Sequence, residues 1–324
     1  MLALLVGGCT TPKILPQPAR TAPTLEWSAY TTADRTVLPV RRWKAKQPVR
    51  AVVAALHGFN DYSQSFAETA SHFSAAGIET VAYDQRGFGN APGRHHWPGT
   101  GLLASDLTDF LPLLRNQYPG LPLYLLGDSM GGAVASIALT STDDLPVDGV
   151  ILVTPAIWAR ETMPWYQRFG IWIGARLAPS TTLSSASFNI APSDNPEVRR
   201  RHLQDPLTIK STRLDSLEGL SDLMDSALPA VANIRQRTLI LYGLRDVMMP
   251  RPPMIALHER WPDSGASHFR FALYPEGHHT LLRDLQRRVV QNDVLAWIQH
   301  PDAPLPSGFE RQRREIIPLL NNAR

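Results

Sequence analysis

Six near-continuous apolar runs punctuate the chain: RAVVAALHG (50–58), IETVAYDQRGFG (78–89), PLYLLGDS (122–129), VDGVILVTPA (147–156), RTLILYGLRD (237–246) and FRFALYPEG (269–277). None alternates polar with apolar, so each reads as a strand covered on both faces, as in a parallel sheet. FAETASHFSAAG (66–77) and LLASDLTDFLPLLRNQYPG (102–120) lie between the first three runs, carry helical spacing and end at Gly or Pro. A last helical pattern, LLRDLQRRVVQNDVLAWIQ (281–299), follows the sixth run. Strands alternating with helices predict an α/β fold with a mostly parallel central sheet and flanking helices.

The rhythm breaks over 157–232, where aromatics, prolines and helical patterns replace strand-like runs. This predicts a helical cap inserted over the sheet. The expected layout is a leader and tether at 1–24, a core at 25–156 and 233–300, the cap at 157–232 and a tail at 301–324. The tail, GFERQRREIIPLLNNAR at its end, is expected to fray. A chain of 324 residues with 44% hydrophobic content can bury one large core.

Charge and cysteine content narrow the partners. A net charge of +3 without a long Lys/Arg block argues against nucleic acid. No stretch reaches the roughly 20 apolar residues of a membrane-spanning helix. Cys9 is the only cysteine, so no disulfide can form within the chain. It follows Val6-Gly7-Gly8, which resembles the lipobox of bacterial lipoproteins, where the cysteine is acylated after signal cleavage. The apolar stretch before it is short and lacks a preceding positive charge. The Pro/Thr-rich TTPKILPQPARTAPT suits an extended tether. The expectation is a bacterial cell-envelope protein held at the membrane through lipidated Cys9; the competing reading is a disordered leader with an incidental thiol in a cytoplasmic protein.

The third run ends in Gly127-Asp128-Ser129-Met130-Gly131, the G-x-S-x-G of a nucleophile elbow, between a buried strand and a helix. Glycines at 127, 131 and 132 permit the tight turn that pushes Ser129 out. The N-terminus of the following helix aims N–H groups at developing negative charge. Read more plainly, Ser129 would only cap that helix. A serine needs a base and an acid, in the chain order Ser, Asp or Glu, His. Asp246 ends the fifth run, at the ligand-facing edge of a parallel sheet. His278 and His279 follow the sixth, and either could be the base.

These motifs resemble the α/β-hydrolases of the monoacylglycerol lipase and lysophospholipase group over about 49–300. Its H-G motif is similar to His57-Gly58-Phe59, its D-x-R-G-x-G to Asp84 through Gly89, and its elbow to GDSMGG. Its G-x-x-D-x-x-x-P is matched by Gly243, Asp246 and Pro250, and its H-x-L-L by His279, Leu281 and Leu282, which favours His279 over His278. The resemblance implies an α/β-hydrolase fold and a serine hydrolase that cleaves carboxylic esters of lipid-like monoesters through an acyl-enzyme. Ser129 would attack, His279 would move the proton and Asp246 would orient it. Backbone N–H groups of Phe59 and Met130 would form the oxyanion hole. His57, Asp84 and Arg86 would support loops.

Other chemistries lack their motifs. GFGNAPG is not a dinucleotide fingerprint and no phosphate-binding G-x-x-x-x-G-K exists. Ser193-Asp194-Asn195 matches one β-lactamase motif without its companions and reads as a turn. His95-His96 and His278-His279 lack a third ligand at metal-like spacing, so neither metal nor cofactor is expected. In the cap, Trp165, Phe169, Trp172 and Ile173 share one helical face. That face either packs on the body or, as the resemblance implies, binds an acyl chain or dips into a membrane interface. A monoacylglycerol or lysophospholipid is the expected substrate; the alternatives are a short-chain carboxylesterase and a non-catalytic envelope binding protein.

Overall fold

The structure is a computed structural model that describes residues 21–184, 192–261 and 268–322. Cys9 and the leader up to residue 20 lie outside the described residues. Three short strands come first: β1 (Thr24–Leu25), β2 (Ala29–Thr31) and β3 (Val37–Trp43). They pair antiparallel and join the main sheet through β3. Then follow β4 (Ala51–Leu56), α1 (Ala67–Ala75), β5 (Ile78–Tyr83), α2 (Thr100–Gln117), β6 (Leu123–Asp128), α3 (Met130–Ser141) and β7 (Gly149–Val153). The cap region holds α4 (Trp165–Leu177), β8 (Thr182–Ser184), α5 (Pro196–Gln204), β9 (Ser211–Arg213) and α6 (Leu214–Ala232). The chain returns to the sheet with β10 (Thr238–Gly243), α7 (Arg251–Arg260), β11 (Phe269–Tyr274), α8 (Arg287–Gln299), β12 (Glu310–Arg311) and α9 (Arg313–Asn322).

The large sheet runs β1-β2-β3-β5-β4-β6-β7-β10-β11-β12, with every pairing from β5 to β11 parallel. The six apolar runs are those six strands. Both faces are covered, which explains their lack of alternation. In β4, Val52, Ala54 and Leu56 enter one core layer with α2, α3, α6 and α7, while Ala51, Val53 and Ala55 enter the other with α1 and α8. In β7, Val150 and Leu152 divide from Ile151 and Val153 in the same way.

One feature was not anticipated and three expectations are corrected. The antiparallel strands β1–β3 are added at one edge; Arg86 ties them on through Asp34, Thr32 and Thr36 while also binding Asp106. The cap does contain strands, since β8 pairs with β9; three residues are too few to show a period. Helix α6, assigned wholly to the cap, packs on α3 and sends Leu223, Ala227, Leu228 and Val231 into the core. The described part of the tail, up to residue 322, does not fray. β12 pairs with β11, and α9 buries Ile316 and Leu320 to 1% exposure each, one helical turn apart against α7.

Candidate active site

At the end of β6, Ser129 adopts φ 52° and ψ −112°, a strained conformation for a side chain with a Cβ. The turn survives because the backbone is pinned: Ser129 N–H donates to Val153 O at 2.9 Å, and its carbonyl accepts from Gly132 and Ala156 N–H. A Cβ on Gly127 would sit 2.5 Å from Gly132 Cα, and one on Gly131 would sit 2.1 Å from Leu56 O. No side chain fits at either position.

The predicted partners converge on this serine. Its Oγ lies 2.9 Å from His279 Nε2, and His279 Nδ1 lies 2.8 Å from Asp246 Oδ2. Asp246 is oriented in turn, with Oδ1 accepting from the N–H groups of Met248 and Met249. Burial disfavours a charged His279, but Asp246 and then Asp128 outweigh it, so its pKa lies above the ordinary value. A hydroxyl, imidazole and carboxylate in this order can deprotonate the serine and hold the imidazolium that forms. The imidazole hydrogen-bonded to Ser129 is that of His279, not His278, which resolves the doubled histidine.

The oxyanion-side residues flank the serine. Met130 opens α3, and Gly58 passes so close that a Cβ there would touch Ser129 Cβ at 3.4 Å, bringing the Phe59 backbone alongside. His57 is wholly buried and shapes this loop: Nε2 accepts from Gln85 N–H at 2.9 Å, and Nδ1 donates to Gly58 O at 2.9 Å. Burial lowers its pKa, consistent with a neutral ring in that tautomer. Asp84 accepts from Ser63 and Asn90 N–H groups. Gly89, at φ 56°, leaves room for that carboxylate.

Several residues act here that sequence reasoning passed over. Thr154, at φ 42°, donates its hydroxyl to His279 O at 3.0 Å. Arg283 ion-pairs with Asp61 at 2.7 Å and faces Asp128 at 4.0 Å, linking the loop after β4, the elbow and the histidine loop. Burial pushes the Asp128 carboxyl up to about 6 against the pull of Arg283. Arg283 was hidden because 281–286 read as the start of the last helix, whereas α8 begins at Arg287. A cavity of about 10 Å³ beside the loop after β4 is lined by Phe59, Phe88, Trp97, Ile209, Thr212 and Ser216 among others. Trp165, Phe169 and Trp172 do not line it. They stand 71%, 56% and 43% exposed on α4, whose opposite side rests on α6. This face therefore neither packs on the body nor lines that cavity, so the expectation that these three residues contact the acyl chain finds no support in the cavity.

Residues 47–286 match the family model described as Hydrolase_4, serine aminopeptidase S33, a span that holds every residue of the relay. The chain belongs to this family. The hydrolase is 24% identical over 259 residues to the monoacylglycerol lipase of Mycolicibacterium smegmatis, covering 79% of this chain and 90% of the relative. To mouse monoglyceride lipase it is 24% identical over 287 residues, covering 85% and 91%. In three dimensions it resembles a soluble variant of monoglyceride lipase from Saccharomyces cerevisiae, solved with a substrate analog, at TM-score 0.71 and 19% identity over 90% of this chain and 100% of that one. It also resembles the monoacylglycerol lipase of Paleococcus ferrophilus at TM-score 0.66 and 21% identity, covering 81% and 98%. The hydrolase is thus an α/β-hydrolase of the monoglyceride lipase group and an ester-cleaving serine hydrolase.

Proposed function

We propose that this hydrolase cleaves monoacylglycerols and similar single-chain lipid esters, with Ser129 as nucleophile, His279 as general base and acid, and Asp246 as the group that orients the imidazole. The carrying observation is the unbroken relay from Ser129 Oγ through His279 to Asp246, at 2.9 and 2.8 Å, on a fold shared with monoacylglycerol lipases. Attack on the ester carbonyl transfers the serine proton to His279 Nε2. Collapse of the tetrahedral intermediate releases glycerol, protonated by the same imidazole, and leaves an acyl-Ser129 that water cleaves. The backbone N–H groups of Phe59 and Met130 would hold the oxyanion.

Two observations support a lipid ester over a peptide, despite the family's peptidase description. Asp61, on the loop after β4, and Asp128, in the elbow, both face Arg283, so they are committed and not free to receive a peptide's amino terminus. The outward aromatics of α4, flanked by Arg168 and Arg176, form an amphipathic surface of the kind that settles at a lipid interface. Envelope anchoring through Cys9 belongs to this reading and rests on the Val6-Gly7-Gly8-Cys9 pattern alone.

The test is a rate series on monoacylglycerols, a lysophospholipid, aryl esters of rising chain length and an aminoacyl anilide. Turnover of long-chain monoacylglycerol that Ser129→Ala abolishes is the expected result. Preference for acetate and butyrate esters would replace the reading with a short-chain esterase, and cleavage of the anilide alone with a peptidase.

A further inference from the structure

The doubled histidine leaves His278 outside the relay. Its Nδ1 is nonetheless buried and has no hydrogen-bond partner, a state that costs a polar atom its hydration without return. Two carboxylates face it. Asp284 follows six residues later, and Asp194 comes from the cap region, 84 residues earlier in sequence. One ligand atom from each of the three lies within 4.8 Å of the others, with His278 Nδ1 4.0 Å from Asp284 Oδ2.

We propose that Asp194, His278 and Asp284 form a site for a divalent transition-metal ion, Zn²⁺ by its donor set, which clamps the cap segment to the loop carrying His279. One imidazole nitrogen and two carboxylate oxygens are zinc ligands at about 2.0–2.2 Å, with the remaining position open to water. The two carboxylates supply a charge that a dication neutralises. Arg283 is ion-paired with Asp61 and faces Asp128, and it reaches Asp284 only through a weaker, longer-range attraction, so it offsets little of this charge.

The two carboxylates are oriented before any ion arrives. Asp284 Oδ1 accepts from Ser193 and Thr280 hydroxyls at 2.6 and 2.8 Å, and Oδ2 accepts from His278 N–H at 2.8 Å. Asp194 Oδ1 accepts from Leu285 N–H at 2.9 Å. Thr280 N–H to Pro192 O and Asn195 Nδ2 to Arg283 O complete the seam between the two segments. The Ser193-Asp194-Asn195 turn is therefore a latch, and His278 Nδ1 is a buried atom within it that has no hydrogen-bond partner. Bonds of this kind orient ligands and raise metal affinity. His279 is not a ligand, because both its nitrogens are occupied by Asp246 and Ser129.

Titration calorimetry of the tag-free, metal-free protein with ZnCl₂ tests the site, with melting temperature as a second readout. The expected result is one equivalent bound and a melting temperature raised by about 5 °C at a hundredfold excess over Kd. His278→Gln and Asp194→Asn should each weaken binding by about 10-fold or more, whereas His279→Ala should bind as the wild type does. Because His278 Nδ1 makes no hydrogen bond, His278→Gln should melt like the wild type without metal, which separates lost binding from lost folding. No saturable binding, binding unchanged in His278→Gln, or binding lost in His279→Ala would each overturn the proposal. None of these outcomes depends on which ester the enzyme cleaves.

Discussion

Adding a single methyl group at Gly131 should cripple the enzyme, whereas the same change at Gly170 should help it fold. Ordinary contact needs about 3.4 Å, and a Cβ on Gly131 would lie 2.1 Å from Leu56 O and 2.5 Å from Leu56 C. Both obstacles are backbone atoms of β4, which is hydrogen-bonded to a parallel neighbour on each side. Strand and helix must therefore separate by about 1.3 Å, and α3 carries Ser129 at its start. Overpacking of this kind costs about 1–3 kcal/mol of stability. Displacing a reacting atom by about 1 Å costs about 100-fold in rate. Gly131→Ala should thus lower kcat/KM on a butyrate aryl ester by about two orders of magnitude in protein that still unfolds cooperatively. Gly170 sits inside α4 with nothing within 4 Å of a Cβ, so Gly170→Ala should stabilise by about 0.5–1 kcal/mol at unchanged activity. Retention of more than a tenth of the activity in Gly131→Ala would refute the claim that the elbow's geometry is set by this contact.

Three further outcomes follow from the same structure. Ser129→Ala and His279→Ala should each cut kcat by about a million-fold, while His278→Ala should cost less than about threefold; reversal of the two histidines would move the base. The base must be neutral to accept a proton, and His279 is raised above 6.5, so the acid limb of kcat/KM should lie above pH 6.5. Asp128→Asn removes one of the charges that raise it and should shift that limb to lower pH; a shift upward would contradict the assigned electrostatics. Leu320→Ala should destabilise by about 2–5 kcal/mol in thermal or denaturant unfolding because the side chain is buried under α7, whereas a frayed tail would give no measurable change.

Much of the architecture was legible from single runs of residues. Strands β4, β5, β6, β7, β10 and β11 announced themselves because a strand covered on both faces must be apolar at every position, whatever covers it. Ser129, Asp246 and His279 were legible because each lies at the end of such a strand, and the ends of parallel strands share one edge. Edge pieces were not legible. β1–β3, β8, β9 and β12 are short or half-exposed, so their sequences carry too few constrained positions to form a period. α9 holds only two deeply buried side chains, and their partners on α7 are more than fifty residues away.

What the sequence alone determined is therefore whatever depends on local chain geometry: which segments are strands, where the tight turn falls, and which residue types stand at strand ends. What only the tertiary structure decided is whatever depends on two segments meeting. Choosing His279 over His278 without reference to relatives needed the 2.9 Å approach to Ser129. The ties of Arg283 to Asp61 and Asp128, and the meeting of Asp194 with His278 and Asp284, join positions from 6 to more than 200 residues apart. The outward turn of Trp165, Phe169 and Trp172 was equally undetermined, because helical spacing says that side chains share a face but not what that face meets. That choice was made by α6, which occupies the other side of α4 and leaves the aromatics exposed.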